Sequence, residues 1–296
     1  MKTPNPLAFM LLAMLSAILM ATIGIFARYT QLPAEHITFY RLVIGASCML
    51  AFMIFTGKSD QINHRPTKRT IINGVMLSSF MVFYVQAINY ISMANAVMLL
   101  YLAPIMTAIF AHIVYSEKLT KVNCGFIVLA LLGFLLMLPT DSDTLSQHQG
   151  MGYLYAIMAM LSYSGFMLIN RKPSQSTPYQ STLVQLTVGA TCLLPFVVIT
   201  PIMPSAAQMG WLIAIGVLPG FVAILFAVKA LRVLPAVSFG TLAYLEPVAV
   251  VIFAWLLFAE QLSAIQLSGA LLIIISGIAQ GFVIRARQPI KASVTE

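Results

Sequence analysis

Two short stretches decide how this chain is read: Tyr101-Leu102-Ala103-Pro104-Ile105 and, 143 residues further on, Tyr244-Leu245-Glu246-Pro247-Val248. Thirteen residues beyond each proline, Glu117-Lys118-Leu119-Thr120 returns as Glu260-Gln261-Leu262-Ser263. After a one-residue slip, Gly125 and Gly133 return as Gly269 and Gly277, and earlier in the chain Gly45-Ala46 returns as Gly189-Ala190. Their common order and spacing mark an internal repeat, with one copy in residues 1–140, a second in 150–288 and a short tail over 289–296.

Composition names the solvent of these repeats. Hydrophobic residues make up 60% of the 296 positions and charged residues only 8%, against roughly 45–50% and about 25% in soluble domains. A soluble fold of this size has too little interior to hide so much apolar surface, whereas lipid accepts it on every side. Runs long enough to span a bilayer fall near 7–27, 34–56, 70–91, 95–115, 122–138, 151–170, 180–200, 208–229, 236–258 and 264–284. The expected fold is therefore an all-α integral membrane protein of ten transmembrane helices. The first run follows Lys2 but is too long for a signal-peptide core, so it is read as a retained helix.

The net charge of +8 is a topology signal and not a nucleic-acid footprint. Fourteen of the sixteen basic residues fall in connectors on one side of these ten spans: Lys2; Lys58, Arg65, Lys68 and Arg69; Lys118 and Lys121; Arg171 and Lys172; Lys229 and Arg232; Arg285, Arg287 and Lys291. Arg28 lies on the opposite side, with Glu35, Asp141, Asp143 and Glu260, and Arg41 lies within the second span. Because cytoplasmic loops attract Lys and Arg, a multi-pass protein of the inner cell membrane with both termini cytoplasmic is expected. Five spans per repeat is an odd number, so the second copy is inverted. Inverted halves are a carrier architecture, since mirror-related bundles can rock between inward- and outward-open forms.

The two-fold five-helix plan, the helix-central prolines, Tyr-Leu-Glu-Pro and the Glu-x-Leu-[Thr/Ser] motif together resemble the drug/metabolite transporter superfamily, and within it the EamA family, over about residues 7–284. The resemblance implies an alternating-access carrier with a central cavity between its halves, and such families commonly export amino acids, other metabolites or drugs. One departure stands out. Where many relatives carry a Trp-Gly pair in the first helix, this chain has Ala21-Thr22-Ile23-Gly24, so no ligand contact of that tryptophan carries over.

Several residues are candidates for the work. Pro104 and Pro247, read as lying near the middle of the fourth and ninth spans, would free backbone carbonyls at the midplane, a pointer to a binding site in matched helices or else a packing kink. Glu246 lies about ten residues from either end of its span, where a charge costs roughly 2.5–3.5 kcal/mol on insertion scales; its mate in the first half is Ala103. It is either a proton carrier for antiport or a structural carboxyl. Arg41, about 6 Å outward of the midplane at ~1.5 Å per residue, could pair with Glu246, hold a substrate carboxylate bidentately, or snorkel to the external interface.

Tyr84, Asn89, Asn95, Tyr101, Tyr163 and Tyr244 lie at similar depth, and Tyr101 and Tyr244, as symmetry mates beside the prolines, are expected to wall a cavity. Trp211 and Trp255 read as interface anchors. Gly216 with Gly220, and Gly277 with Gly281, read as small-residue pairs for close helix approach. Cys48, Cys124 and Cys192 sit in apolar runs without metal-type spacing and read as small packing residues.

The chain contains no phosphate-binding loop, His-Glu-x-x-His or Gly-x-Ser-x-Gly, so neither an ATP-driven pump nor an enzyme is expected, and no cofactor or metal. The expected function is secondary active transport, as exporter or exchanger, of small metabolites such as amino acids or amphipathic compounds. A passive facilitator or channel remains the alternative. A small-molecule substrate, a lipid bilayer, no nucleic acid, and a monomer or homodimer complete the expectation.

Overall fold

The computed structural model describes residues 6–62, 65–91, 96, 99–116, 120–137, 149–171, 176–258 and 264–286. All regular structure among these residues is helical: α1 (Pro6–Thr30), α2 (Ala34–Phe55), α3 (Lys68–Ile88), α4 (Ala103–Tyr115), α5 (Lys121–Met137), α6 (Gln149–Arg171), α7 (Pro178–Ile199), α8 (Ala206–Val233), α9 (Ala236–Ala243), α10 (Leu245–Phe258) and α11 (Ala264–Ala286), with a single 3₁₀ turn at Ser59–Gln61. Seven spans among the described residues are long and apolar enough to cross a membrane, and Ala103–Tyr115, Lys121–Leu136 and Leu267–Ser276 are shorter apolar helices. The chain is thus a multi-pass membrane protein.

Side-chain size sorts each helix surface. In α1, Met10, Ala13, Ala17 and Ala21 form the buried stripe, while Leu7, Leu11, Leu15 and Ile18 face outward. Both faces are apolar, so the contrast is of volume and not polarity. Small residues inside let backbones approach where lipid gives helices no hydrophobic reason to associate. Cys124 and Cys192 lie on the outer surface and Cys48 is half-buried; all three are free thiols.

Packing follows the repeat. α1 packs on α8 and α10, and its second-copy mate α6 packs on α3 and α4; α2 packs on its own mate α7, α4 on α9, and α5 on α11. Each copy's first helix therefore leans on the other copy, which interlocks the two.

Glycines set the closest crossings. A Cβ on Gly45 would stand 3.0 Å from the Gly220 carbonyl carbon, and one on Gly216 only 2.4 Å from Ile44 Cβ. At the mated crossing, a Cβ on Gly74 would meet Val188 Cβ at 2.7 Å. Gly133 of α5 meets the backbone oxygen of Gly269 in α11 in the same way, at 2.6 Å.

Two local departures from the α-helix matter for the site. In α8, Gly216–Val222 winds as a π-helical segment around Pro219. Proline cannot donate to the carbonyl one turn back, and the wider turn, flanked by glycines, admits α2 against bare backbone. The second is at the prolines: Pro104 stands in the first turn of α4 and Pro247 in the first turn of α10, just after a local break, and Pro247 lies midway along the apolar span Ser238–Leu257. A turn at Tyr101–Leu102 precedes α4, and Tyr244 alone separates the end of α9 at Ala243 from the start of α10. A first-turn proline sacrifices only an N–H that has no intrahelical partner anyway. The Ala103 carbonyl, in the first turn of α4, accepts from Thr107 Oγ1 at 2.7 Å and from Ser164 Oγ of α6 at 3.1 Å.

Candidate functional site

The breaks at Tyr101 and Tyr244 bring the two copies face to face. The two rings stack at 5.8 Å, Phe134 lies 4.6 Å from Tyr101, and the Tyr244 hydroxyl donates to the Tyr101 carbonyl at 2.5 Å. Tyr244 is wholly buried in this cluster with Phe134, Val248 and Ile273. Its hydroxyl is already committed to backbone, so it braces the wall behind Tyr101. Gly240 of α9 lies against Pro104, where a Cβ would come within 2.7 Å of the proline Cβ. Pro104 and Pro247 are both buried.

Glu246 sits in the first turn of α10, where free N–H groups and the positive end of the helix dipole favour a carboxylate. It is partly buried. The Tyr101 hydroxyl is placed to donate to its carboxylate, and Arg41 is its cationic neighbour. Tyr84 and Tyr163 lie within the same electrostatic neighbourhood, and Tyr163 packs on Phe80 at 4.9 Å.

Arg41 does not snorkel. Its side chain is 7% exposed, and one terminal nitrogen, Nη2, donates to Met20 Sδ at 3.0 Å and to the Pro219 carbonyl at 3.2 Å. Nε is buried without a partner. Methionine sulfur is a weak acceptor, so this cation is held in place but poorly satisfied. An anion with two acceptor atoms is what such a fork lacks.

The structure thus gathers Arg41, Tyr84, Tyr101, Tyr163 and Glu246 from both copies, with Tyr244 and the prolines as support. Asn89, by contrast, is exposed at the C-terminal cap of α3, and Asn95 lies outside the described residues, as do Glu117, Asp141, Asp143 and Glu260. Trp211 stacks on Tyr29 at 4.8 Å. Arg41's partners Met20 and Pro219 were not anticipated. The Gly-Val-Leu-Pro-Gly run at 216–220, a proline between two glycines in an apolar span, was their only sequence signal.

A polytopic helical protein whose polar groups meet between two alike halves belongs to the class of membrane transport proteins. Comparison with known proteins agrees. The model of the EamA-like transporter family matches twice, over residues 7–138 and 150–279, and the chain belongs to that family. The pseudopaline exporter CntI of Pseudomonas aeruginosa is 23% identical over 250 residues, covering 84% of this chain and 86% of the relative. The S-adenosylmethionine uptake transporter of Rickettsia prowazekii is 24% identical over 246 residues, covering 83% and 82%. An uncharacterized transporter of Archaeoglobus fulgidus is 28% identical over 267 residues, covering 88% and 91%. One solved crystal structure shares the fold with a TM-score of 0.85 at 17% identity, over 94% of this chain and 99% of that one. The named relatives carry cargo in opposite directions, so family membership leaves direction open.

Proposed function

We propose that this chain is a secondary active carrier that moves small polar or amphipathic metabolites by alternating access between two inverted halves. The observation that carries the reading is a buried, under-satisfied cation at Arg41, inside α2, beside a carboxyl at Glu246 in the first turn after a helix break, one from each copy. Buried charges without full compensation are expensive in a membrane and are retained where they bind or couple. Broken helices with their N-termini near the midplane are the usual way carriers present backbone to a solute.

In this reading Arg41 takes an anionic group of the solute, Tyr84, Tyr101 and Tyr163 line the path, and Glu246 exchanges the bound cargo against a proton. The protein works in the inner membrane with both termini cytoplasmic. Proteoliposomes holding the purified protein, screened with a metabolite panel with and without a pH gradient, test this. Saturable flux that responds to the gradient or to counter-substrate is expected. Flux that rises linearly with concentration and ignores both would replace the carrier with a passive facilitator.

A further inference from the structure

The chain leaves α2 by a defined turn. Gly57 takes the left-handed conformation, at φ 66°. The N–H groups of Gly57 and Lys58 donate back to the Ile54 carbonyl at 3.2 Å and the Met53 carbonyl at 2.8 Å, the paired bonds of a Schellman motif. The 3₁₀ turn Ser59–Gln61 follows. Thr177 Oγ1, at the N-cap of α7, donates to Gln61 Oε1 at 2.6 Å. This connector of the first copy therefore lies across the N-terminus of α7 in the second.

That placement drives two cations onto one ring. Lys58 Nζ stands 4.2 Å from the Tyr179 ring centroid and 5.0 Å from that of Phe52, and Lys229 Nζ of α8 stands 4.6 Å from the Tyr179 centroid. Both ammonium groups are also within hydrogen-bonding reach of the Tyr179 hydroxyl. A ring face attracts one ammonium, but two gathered on it repel each other. Arg232, one turn further along α8, adds a third positive charge, held by the Ser176 carbonyl at 2.7 Å and Ser181 Oγ at 2.6 Å. The positive end of the α7 dipole lies at the same place. Among the described residues no carboxylate pairs with Lys58 or Lys229, and Asp60, the acid nearest Lys58 in sequence, is exposed. What this cluster lacks is an anion.

Its position says which anion. Lys58 lies three residues beyond Phe55; Phe55 is 89% exposed and Ile54 is 55% exposed at the end of α2, apolar surface suited to lipid tails. Lys229 is half-buried one turn inside the end of α8, where a long stem carries its ammonium to the bilayer surface. The anions at that level are headgroup phosphates, and basic pockets between spanning helices take them there. A phosphate dissolved in water would first have to shed its hydration.

We infer that Lys58, Tyr179 and Lys229 form a binding site for the phosphate of an anionic phospholipid at the basic end of the molecule. Lys58 comes from the first copy and the other two from the second, so one headgroup clasps both. The site goes beyond the carrier reading and needs only the membrane, so its failure leaves that reading as it stands.

The test uses the full-length protein in phosphatidylcholine nanodiscs with a rising fraction of phosphatidylglycerol, and follows unfolding by tryptophan fluorescence. Phosphatidylglycerol is expected to raise the unfolding temperature saturably. Lys58→Gln and Lys229→Gln should each raise the lipid fraction at half-effect about fivefold, the weight of one basic residue at a charged membrane surface. Lys58→Arg, which keeps the charge, should restore it. Lys121→Gln removes a charge from the exposed start of α5 and should leave the half-point where it was. Lys58 lies outside the helices, so its variants carry the comparison alone if Lys229→Gln does not fold.

Indifference to phosphatidylglycerol would overturn the site. An equal shift in Lys121→Gln would overturn it too, by reducing the effect to diffuse attraction between a basic surface and an acidic one. So would inorganic phosphate that stabilised the protein in pure phosphatidylcholine discs with the same dependence on Lys58, since the anion would then come from the water.

Discussion

The crossing of α2 with α8 and the crossing of α7 with α3 are built alike and filled differently. Both are glycine-lined seams, with Gly45 against the Gly220 backbone and Gly216 against Ile44 in one, and Gly74 against Val188 and Gly189 against Leu42 in the other. Four residues before each mated glycine, however, the first seam carries Arg41 and the second Gln185. The ninth-span break adds a parallel contrast, with Glu246 where the first copy has Ala103. The repeats have kept the shape of their contacts and diverged where a charge stands. Packing requires both copies alike, whereas a cation and its carboxyl are needed only once.

The largest expected effect comes from erasing that difference. Arg41→Ala should abolish flux and lower stability by about 3 kcal/mol, because it removes a buried cation and leaves the partly buried Glu246 carboxyl without it; thermal unfolding and a proteoliposome assay read the two losses separately. Glu246→Gln keeps the shape and removes the charge. Flux is expected to fall at least tenfold and to lose its response to an imposed pH gradient, and full flux with an intact response would strip Glu246 of its coupling role.

Next comes the seam itself. Gly216→Ala forces a Cβ to within 2.4 Å of Ile44 Cβ and should destabilise by about 1–3 kcal/mol, as overpacking does. A smaller loss, about 1 kcal/mol, is expected from Tyr244→Phe, which deletes the hydroxyl bonded to the Tyr101 carbonyl and leaves the stacked rings. The smallest effect belongs to Gly24→Ala. No atom lies within 4 Å of a Cβ there, so helix propensity alone should add up to about 1 kcal/mol of stability. A Gly24→Ala loss as large as that at Gly216 would show that the seam is not special.

Much of this was legible before any coordinates. Sixty per cent apolar residues with 8% charge leaves only lipid as solvent, and the spacing of Tyr-Leu-x-Pro exposes the two copies. Glu246 stood out because a lone acid in an apolar run is costly. The position of the helix breaks was hidden, since a proline inside a long span reads the same whether it kinks one helix or starts another. Arg41's direction was hidden for a different reason: a long flexible side chain near a span end reaches either water or the interior, and its choice rests on Met20 and Pro219.

The interruption at Tyr244 has a mechanical consequence. A continuous helix asked to flex must rupture part of its own ladder in a medium that offers no water to replace it. Here the regular ladder is already interrupted at Tyr244. A bend of the ninth span at that joint would start from fewer bonds than a bend anywhere else along it, so shape change is cheapest where the two copies meet.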